Sequence, residues 1–308
     1  MGKASRTKVD SSRREKIAAQ RAAARRAEQR RRILIAGGSI LAVIIVIVAF
    51  IVIKASSSPS KPTTTSSANG PTGSALASVV AKVTSVPAST LNTVGEGGGA
   101  VTNKPATIPG SALTSGGKPE MLYMGAEYCP YCAAERWAMI VALSRFGTFS
   151  GLATVHSSST DVYANTPTWT FAHATYTSQY LAFTSVEMET NVPTSAGGYT
   201  SLQTPTAAET ALLDKYDAAP YVASADAGSI PFVDFGNKYL IIGASYSPQV
   251  LSKLSWSTIA TDLSNPSSPV AKAVDGTANY ITAAICKMTG NQPASACTAT
   301  VQSLESKL

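Results

Sequence analysis

Cys129 and Cys132 are the residues best placed by type and spacing to do chemistry. Two cysteines separated by Pro130-Tyr131 suit thiol–disulfide exchange if they stand at a helix start. They fall where an apolar run, Met121-Leu122-Tyr123-Met124-Gly125-Ala126, gives way to a helical pattern from Ala133 to Leu143. A helix N-terminus carries partial positive charge and free N–H groups, which favour a thiolate on the first cysteine. Cys132, one turn further in, is then positioned to resolve a mixed disulfide. A purely structural disulfide is the plainer alternative.

The neighbours of the pair divide in the same way. Glu127 precedes Cys129 by two residues, so strand alternation points it to the same face, as a proton acceptor or simply a solvated carboxylate. Tyr128 and Tyr131 flank the cysteines as an apolar rim that peptides could touch. Arg136 could raise the thiolate population, but a surface ion pair involving Glu135 and Arg136 is the simpler expectation. Trp137 and Phe146 should pack the helix on a sheet.

The two other cysteines, Cys286 and Cys297, flank Gly290-Asn291-Gln292-Pro293, a turn between helical stretches. In an oxidising compartment they should form a structural disulfide clamping a helical hairpin, rather than a redox relay. Their distance in sequence from Cys129 argues against a four-cysteine zinc site. His156 and His173 are the only histidines. A cysteine–histidine hydrolase would need one of them beside Cys129 with an orienting partner, and the sequence offers little support for that. No phosphate-binding glycine loop occurs, and Gly97-Gly98-Gly99 reads as a linker. No metal or cofactor is expected.

These residues need a scaffold. The order is strand (119–126), Cys-x-x-Cys, helix (130–146), strand (152–159), then alternating segments at 169–176 and 180–189. A helix follows near 207–216. Ile230 to Phe235 and Lys238 to Ile242 flank Gly236-Asn237 as a β-hairpin. Residues 248–308 read helical, with breaks near Asn265-Pro266 and Gly290-Asn291. No internal repeat is present.

The 308-residue chain has a formal net charge of +7, but its first 32 residues hold 12 Lys/Arg and 3 Asp/Glu. The remainder is therefore slightly acidic, with 13 basic and 15 acidic residues, and shows no nucleic-acid surface. Residues 33–53 carry no charge. At ~1.5 Å per residue they can cross a ~30 Å hydrocarbon core. The basic flank places the N-terminus in the cytoplasm. A cleaved signal peptide would have a shorter core, ~7–15 residues, and a small-residue cleavage site. We therefore read a basic cytoplasmic tail (1–32), a transmembrane helix (33–53), a Ser/Thr/Pro stalk (54–74) and an extracytoplasmic domain (75–308). The tail suits either a helix on anionic headgroups or a plain topology signal.

Tyr128-Cys129-Pro130-Tyr131-Cys132 opening a helix, with Ser229-Ile230-Pro231 before a hairpin, resembles the thioredoxin superfamily. The inner dipeptide is the one found in glutaredoxins. The longer stretch Gly125 to Trp137 is similar to a prokaryotic family of membrane-anchored thioredoxin-like proteins, catalogued as a domain of unknown function. The resemblance implies an α/β, thioredoxin-like fold. It also implies Cys129 as attacking thiolate, Cys132 as resolving thiol, Pro231 as a cis-proline beside the pair, and Ile230 as the residue whose backbone pairs with substrate. Pro193 and Pro220 are rivals for the proline. Cys129 and Pro231 stand 102 positions apart, which implies an insertion between about 165 and 222, here with β character.

The expected function is a membrane-anchored extracytoplasmic thiol–disulfide oxidoreductase. Its partners would be the membrane, cysteine-containing client proteins and a membrane redox partner, with no nucleic acid. The alternatives are a non-catalytic accessory or assembly subunit of a membrane complex, and a thiol reductase serving copper or haem maturation.

Overall fold

The computed structural model describes residues 70–223 and 226–308. The basic tail, the apolar span 33–53 and the stalk up to residue 69 lie outside the described residues. Among the described residues, no helix is long and apolar enough to cross a membrane.

Strand β3 (Lys118–Gly125) organises a mixed sheet. Its alternation separates two apolar layers. Met121 and Tyr123 join the main core, while Leu122 and Met124 join a smaller one with Ile108, Val186, Tyr216, Phe232 and Leu240. On β3, β8 (Ala182–Glu187) pairs parallel, from Glu120↔Ala182 to Gly125↔Glu187. β11 (Phe232–Phe235) pairs antiparallel, with Phe232 opposite Met124. β12 (Tyr239–Ile242) returns beside β11. Gly236 and Asn237 both take positive φ, 66° and 55°, as a tight hairpin turn requires. Strand β1 (Ala106–Thr107) adds to β12, and β2 (Thr114–Ser115) pairs with the start of β3.

Parallel neighbours need a crossover, and α3 (Pro130–Leu143) begins it directly after β3. Every residue of α3 except Tyr131 is buried. Such a helix must be covered all round. It packs against α6 (Pro269–Thr289), β6 (Pro167–Thr170) and α1 (Gly73–Thr84), and Trp137 and Phe146 lie in the main core as expected.

Several expectations need correction. The strand placed at 152–159 is only β5 (Ala153–His156), which pairs with β6 in a separate ribbon. The parallel strand of the main sheet is β8, within the segment read as 180–189. Consequently the insertion is not one block. β8 divides the extra chain into a part carrying β4 (Gly147–Ser150) to β7 (Thr175–Ser178) and a part carrying β9 (Glu189–Pro193), β10 (Tyr199–Ser201) and α4 (Ala207–Tyr216).

Nor is the glycine run at 95–99 a linker. It follows α2 (Ala88–Val94) and packs on α6, where a β-carbon on Gly97 would meet the Lys272 carbonyl and Gly276 Cα. Only glycine allows that approach at φ +82°. Helix α1 begins at Gly73, overlapping the end of the stretch read as stalk and matching the short amphipathic helix that the sequence suggests over Ser74–Thr84. The C-terminal part folds as α5 (Trp256–Asp262), α6 and α7 (Ala299–Glu305). The Cys286–Cys297 disulfide joins the end of α6 to the approach to α7.

Candidate functional site

Cys129 is the N-cap of α3, and Pro130 occupies the first helical position, where its missing N–H loses nothing and its φ suits the helix. The Cys129 sulfur accepts the Cys132 N–H at 3.2 Å. A thiolate there replaces the usual capping oxygen. Cys129 Sγ also lies 3.6 Å from the Ile230 carbonyl, to which the thiol form donates. The register that sets Phe232 opposite Met124 brings Ile230 and Pro231 to this end of the sheet. The Ile230–Pro231 peptide is cis, as are Ala219–Pro220 and Gln292–Pro293.

The two sulfurs are free thiols with unequal surroundings. Cys129 keeps 4% of its surface exposed and Cys132 none, so only Cys129 is open to an approaching disulfide. A hydrogen bond from the Cys132 thiol, the Cys132 N–H and the nearby Arg136 charge lower the Cys129 pKa against its burial. Burial, followed by the hydrogen bond and charge interaction with Cys129, pushes Cys132 well above the ordinary thiol range. The first thiol therefore ionises more readily than the second.

Arg136 and Glu135 do not form the expected surface ion pair. Both are fully buried. Arg136 Nε and Nη2 donate to Glu187 at 2.8 and 2.6 Å, and Nη2 donates to the Ala126 carbonyl at 2.7 Å. The parallel register sets Glu187 beside Gly125, one residue before that carbonyl. The Ala126 carbonyl also accepts the Cys129 N–H, so the ion pair anchors the turn that holds the cysteine. Glu135 accepts from the Ser245 N–H and hydroxyl at 2.8 and 2.9 Å, and burial pushes its carboxyl up to about 7.

Glu127 lies in the turn after β3 ends at Gly125, so strand alternation does not govern its direction. It is 8% exposed, not a solvated strand-end carboxylate, and its N–H donates to the Glu189 carbonyl. Tyr128 and Tyr131 form a rim that the sequence reading completed only in part. Tyr128 stacks on Tyr199 at 4.2 Å, and Tyr131, 42% exposed, meets Tyr163 edge-on. Tyr199 donates to Ser158, whose N–H donates to the Tyr128 carbonyl. Tyr163 and Tyr199 were missed because they come from the two inserted stretches, with no local pattern linking them to the cysteines. His156 packs its ring against Trp256 at 4.4 Å. Among the described residues, no cluster of three or more His, Cys, Asp or Glu could hold a metal ion.

No curated protein and no solved structure matches the chain. The family described as "Domain of unknown function (DUF929)" matches residues 104–287, more than half of the chain and the whole Cys129 site, and the chain belongs to that family.

Proposed function

We propose that the domain is a thioredoxin-like thiol–disulfide oxidoreductase, held outside the cytoplasm by residues 33–53 and acting on cysteines of secreted or membrane proteins. One observation carries this reading. The only sulfur of the pair with exposed surface, Cys129, caps the N-terminus of α3 at 3.2 Å from the Cys132 N–H, with the Ile230 carbonyl 3.6 Å away. The same arrangement supports the superfamily assignment, because a strand, the Cys-x-x-Cys helix, a parallel strand and a cis-proline hairpin follow in order.

In reduction of a client, the Cys129 thiolate attacks a client disulfide. A Cys129–client bond forms, and the other client sulfur leaves as a thiolate. Cys132 then attacks Cys129 Sγ, the mixed disulfide breaks, and the second client thiolate departs. Two electrons pass from the cysteine pair to the client. Oxidation of a client dithiol runs the same steps in reverse, and a membrane electron carrier resets the pair. Tyr128, Tyr131, Tyr163 and Tyr199 provide an aromatic surface for the client backbone, and Ile230 lies where that backbone would pair.

The test is to express Cys132→Ser in cells and recover disulfide-linked species. Client proteins joined to Cys129, absent from the Cys129→Ser/Cys132→Ser control, support exchange. A well-expressed trap that captures nothing favours the accessory-subunit reading.

A further inference from the structure

Tyr123 is a buried group that the exchange steps above leave unused. It projects from β3 into the main core with no exposed surface, and its hydroxyl has no hydrogen-bond partner. An unsatisfied buried hydroxyl is costly and calls for an explanation. Its position supplies one. The Tyr123 hydroxyl and Cys132 Sγ both crowd the point where a β-carbon on Gly125 would stand, the sulfur 3.0 Å from it. Glycine at 125 is what allows the hydroxyl and the sulfur to share that space. The ring cannot drift: Phe171 meets it edge-on at 5.4 Å, and the Arg136 guanidinium lies 5.7 Å from its centroid. The charged and titratable groups felt by the hydroxyl are Arg136, Cys132, Glu187 and Cys129. Burial holds its pKa well above the ordinary phenol value, so it keeps its proton.

We propose that the Tyr123 hydroxyl is the hydrogen-bond donor that receives the Cys132 thiolate during resolution of the mixed disulfide. The inference rests on the exchange reading of Cys129 and Cys132. Cys132 is fully buried, and burial opposes its ionisation. A donor that shares this space with the sulfur and has no other partner offsets that penalty where water cannot. The step balances without another reactant. The Cys132 thiol loses its proton, its sulfur bonds to Cys129 Sγ, and the Cys129–client bond breaks. The client sulfur leaves with the electron pair and takes up a proton. Tyr123 donates its hydrogen bond as the thiolate forms and keeps its own proton. It is a positioning residue for the resolving thiol, with no role in the first attack.

The experiment follows the purified full chain, with Cys129 and Cys132 reduced, reacting with one equivalent of 5,5′-dithiobis(2-nitrobenzoate) in stopped flow. The first release of thionitrobenzoate reports attack by Cys129, and the second reports resolution by Cys132. Tyr123→Phe should leave the first phase unchanged. It should slow the second about tenfold or more at neutral pH and shift that phase's pH profile upward, the scale of a hydrogen bond to a charged group. Replacing Tyr123 with 3,5-difluorotyrosine keeps the ring and hydroxyl but acidifies the donor, so the second-phase profile should move downward. This variant decides the matter even if Tyr123→Phe folds poorly. A second phase within twofold of the parent in the folded variants overturns the role of Tyr123 and leaves the exchange reading standing. A parent chain with no first phase overturns both.

Discussion

Replacing Glu187 with Gln would test whether the buried ion pair holds the cysteine turn. Arg136 and Glu187 are both fully inaccessible, and the carboxylate accepts two guanidinium N–H groups and, at 3.2 Å, the Phe171 N–H. Glutamine preserves shape but presents an NH2 to one guanidinium donor and leaves a bare cation in the core. Removing one partner of a buried pair costs about 3–5 kcal/mol. That is a large share of the ~5–15 kcal/mol that keeps a typical domain folded. Arg136→Met alone should cost a similar amount by removing the carboxylate's counter-charge and one of the two donors to the Ala126 carbonyl. The double variant removes both charges and should lose less than the sum of the single losses, by at least ~2 kcal/mol. Urea unfolding of the full chain, followed by fluorescence of the buried Trp137 and Trp169, gives all four stabilities. A Glu187→Gln loss below ~1 kcal/mol, or additive single losses, refutes the reasoning.

The remaining predictions concern other named groups. Asp275 is buried in α6 with neither carboxylate oxygen partnered, and burial pushes its pKa from 3.8 up to about 8. Between those values the folded chain keeps a proton that the unfolded chain releases. Stability should therefore fall as pH rises from 4 to 8, by at most ~1.4 kcal/mol per unit from this group. Asp275→Asn should flatten that slope in urea titrations, and an unchanged slope contradicts the assignment. Cys286→Ala with Cys297→Ala opens a loop of 11-residue separation and should cost roughly 3 kcal/mol on the chain-entropy model, with the Cys129 alkylation rate unchanged. Because the Cys132 thiol makes the largest contribution to lowering the Cys129 pKa, Cys132→Ala should raise the half-point of the iodoacetamide pH–rate profile at Cys129. A half-point that stays or falls contradicts that contribution.

Much of the site's frame was legible in the sequence because its signals are local. The Cys-x-x-Cys pair at the end of an apolar strand, the Gly-Asn hairpin and the cysteines around Gly290 each carry their own turn or helix chemistry. The parallel strand of the main sheet was harder to identify. Ala182–Glu187 and Ala153–His156 are both short segments of mixed polarity, and only pairing with β3 distinguishes the sheet member from the ribbon. Arg136 was misread for a related reason. A charge on a helix normally marks a solvated face, but the ones on α3 are buried because Glu187 and Ser245, 51 and 110 residues away, supply partners. The adjacent Glu135 and Arg136, in a helix whose following residues 137–143 are all apolar, were the available clue. The register of β8 on β3, which sequence alone does not determine, selects its partner.

The central claim is that Cys129 and Cys132 interconvert between dithiol and disulfide. The most direct measurement equilibrates the full chain in graded reduced and oxidised glutathione, then alkylates and weighs it by mass spectrometry. The account predicts a reversible two-electron transition confined to Cys129 and Cys132, with Cys286–Cys297 remaining bonded, and no such transition in Cys129→Ser. A pair that stays wholly oxidised or wholly reduced across the series would contradict it.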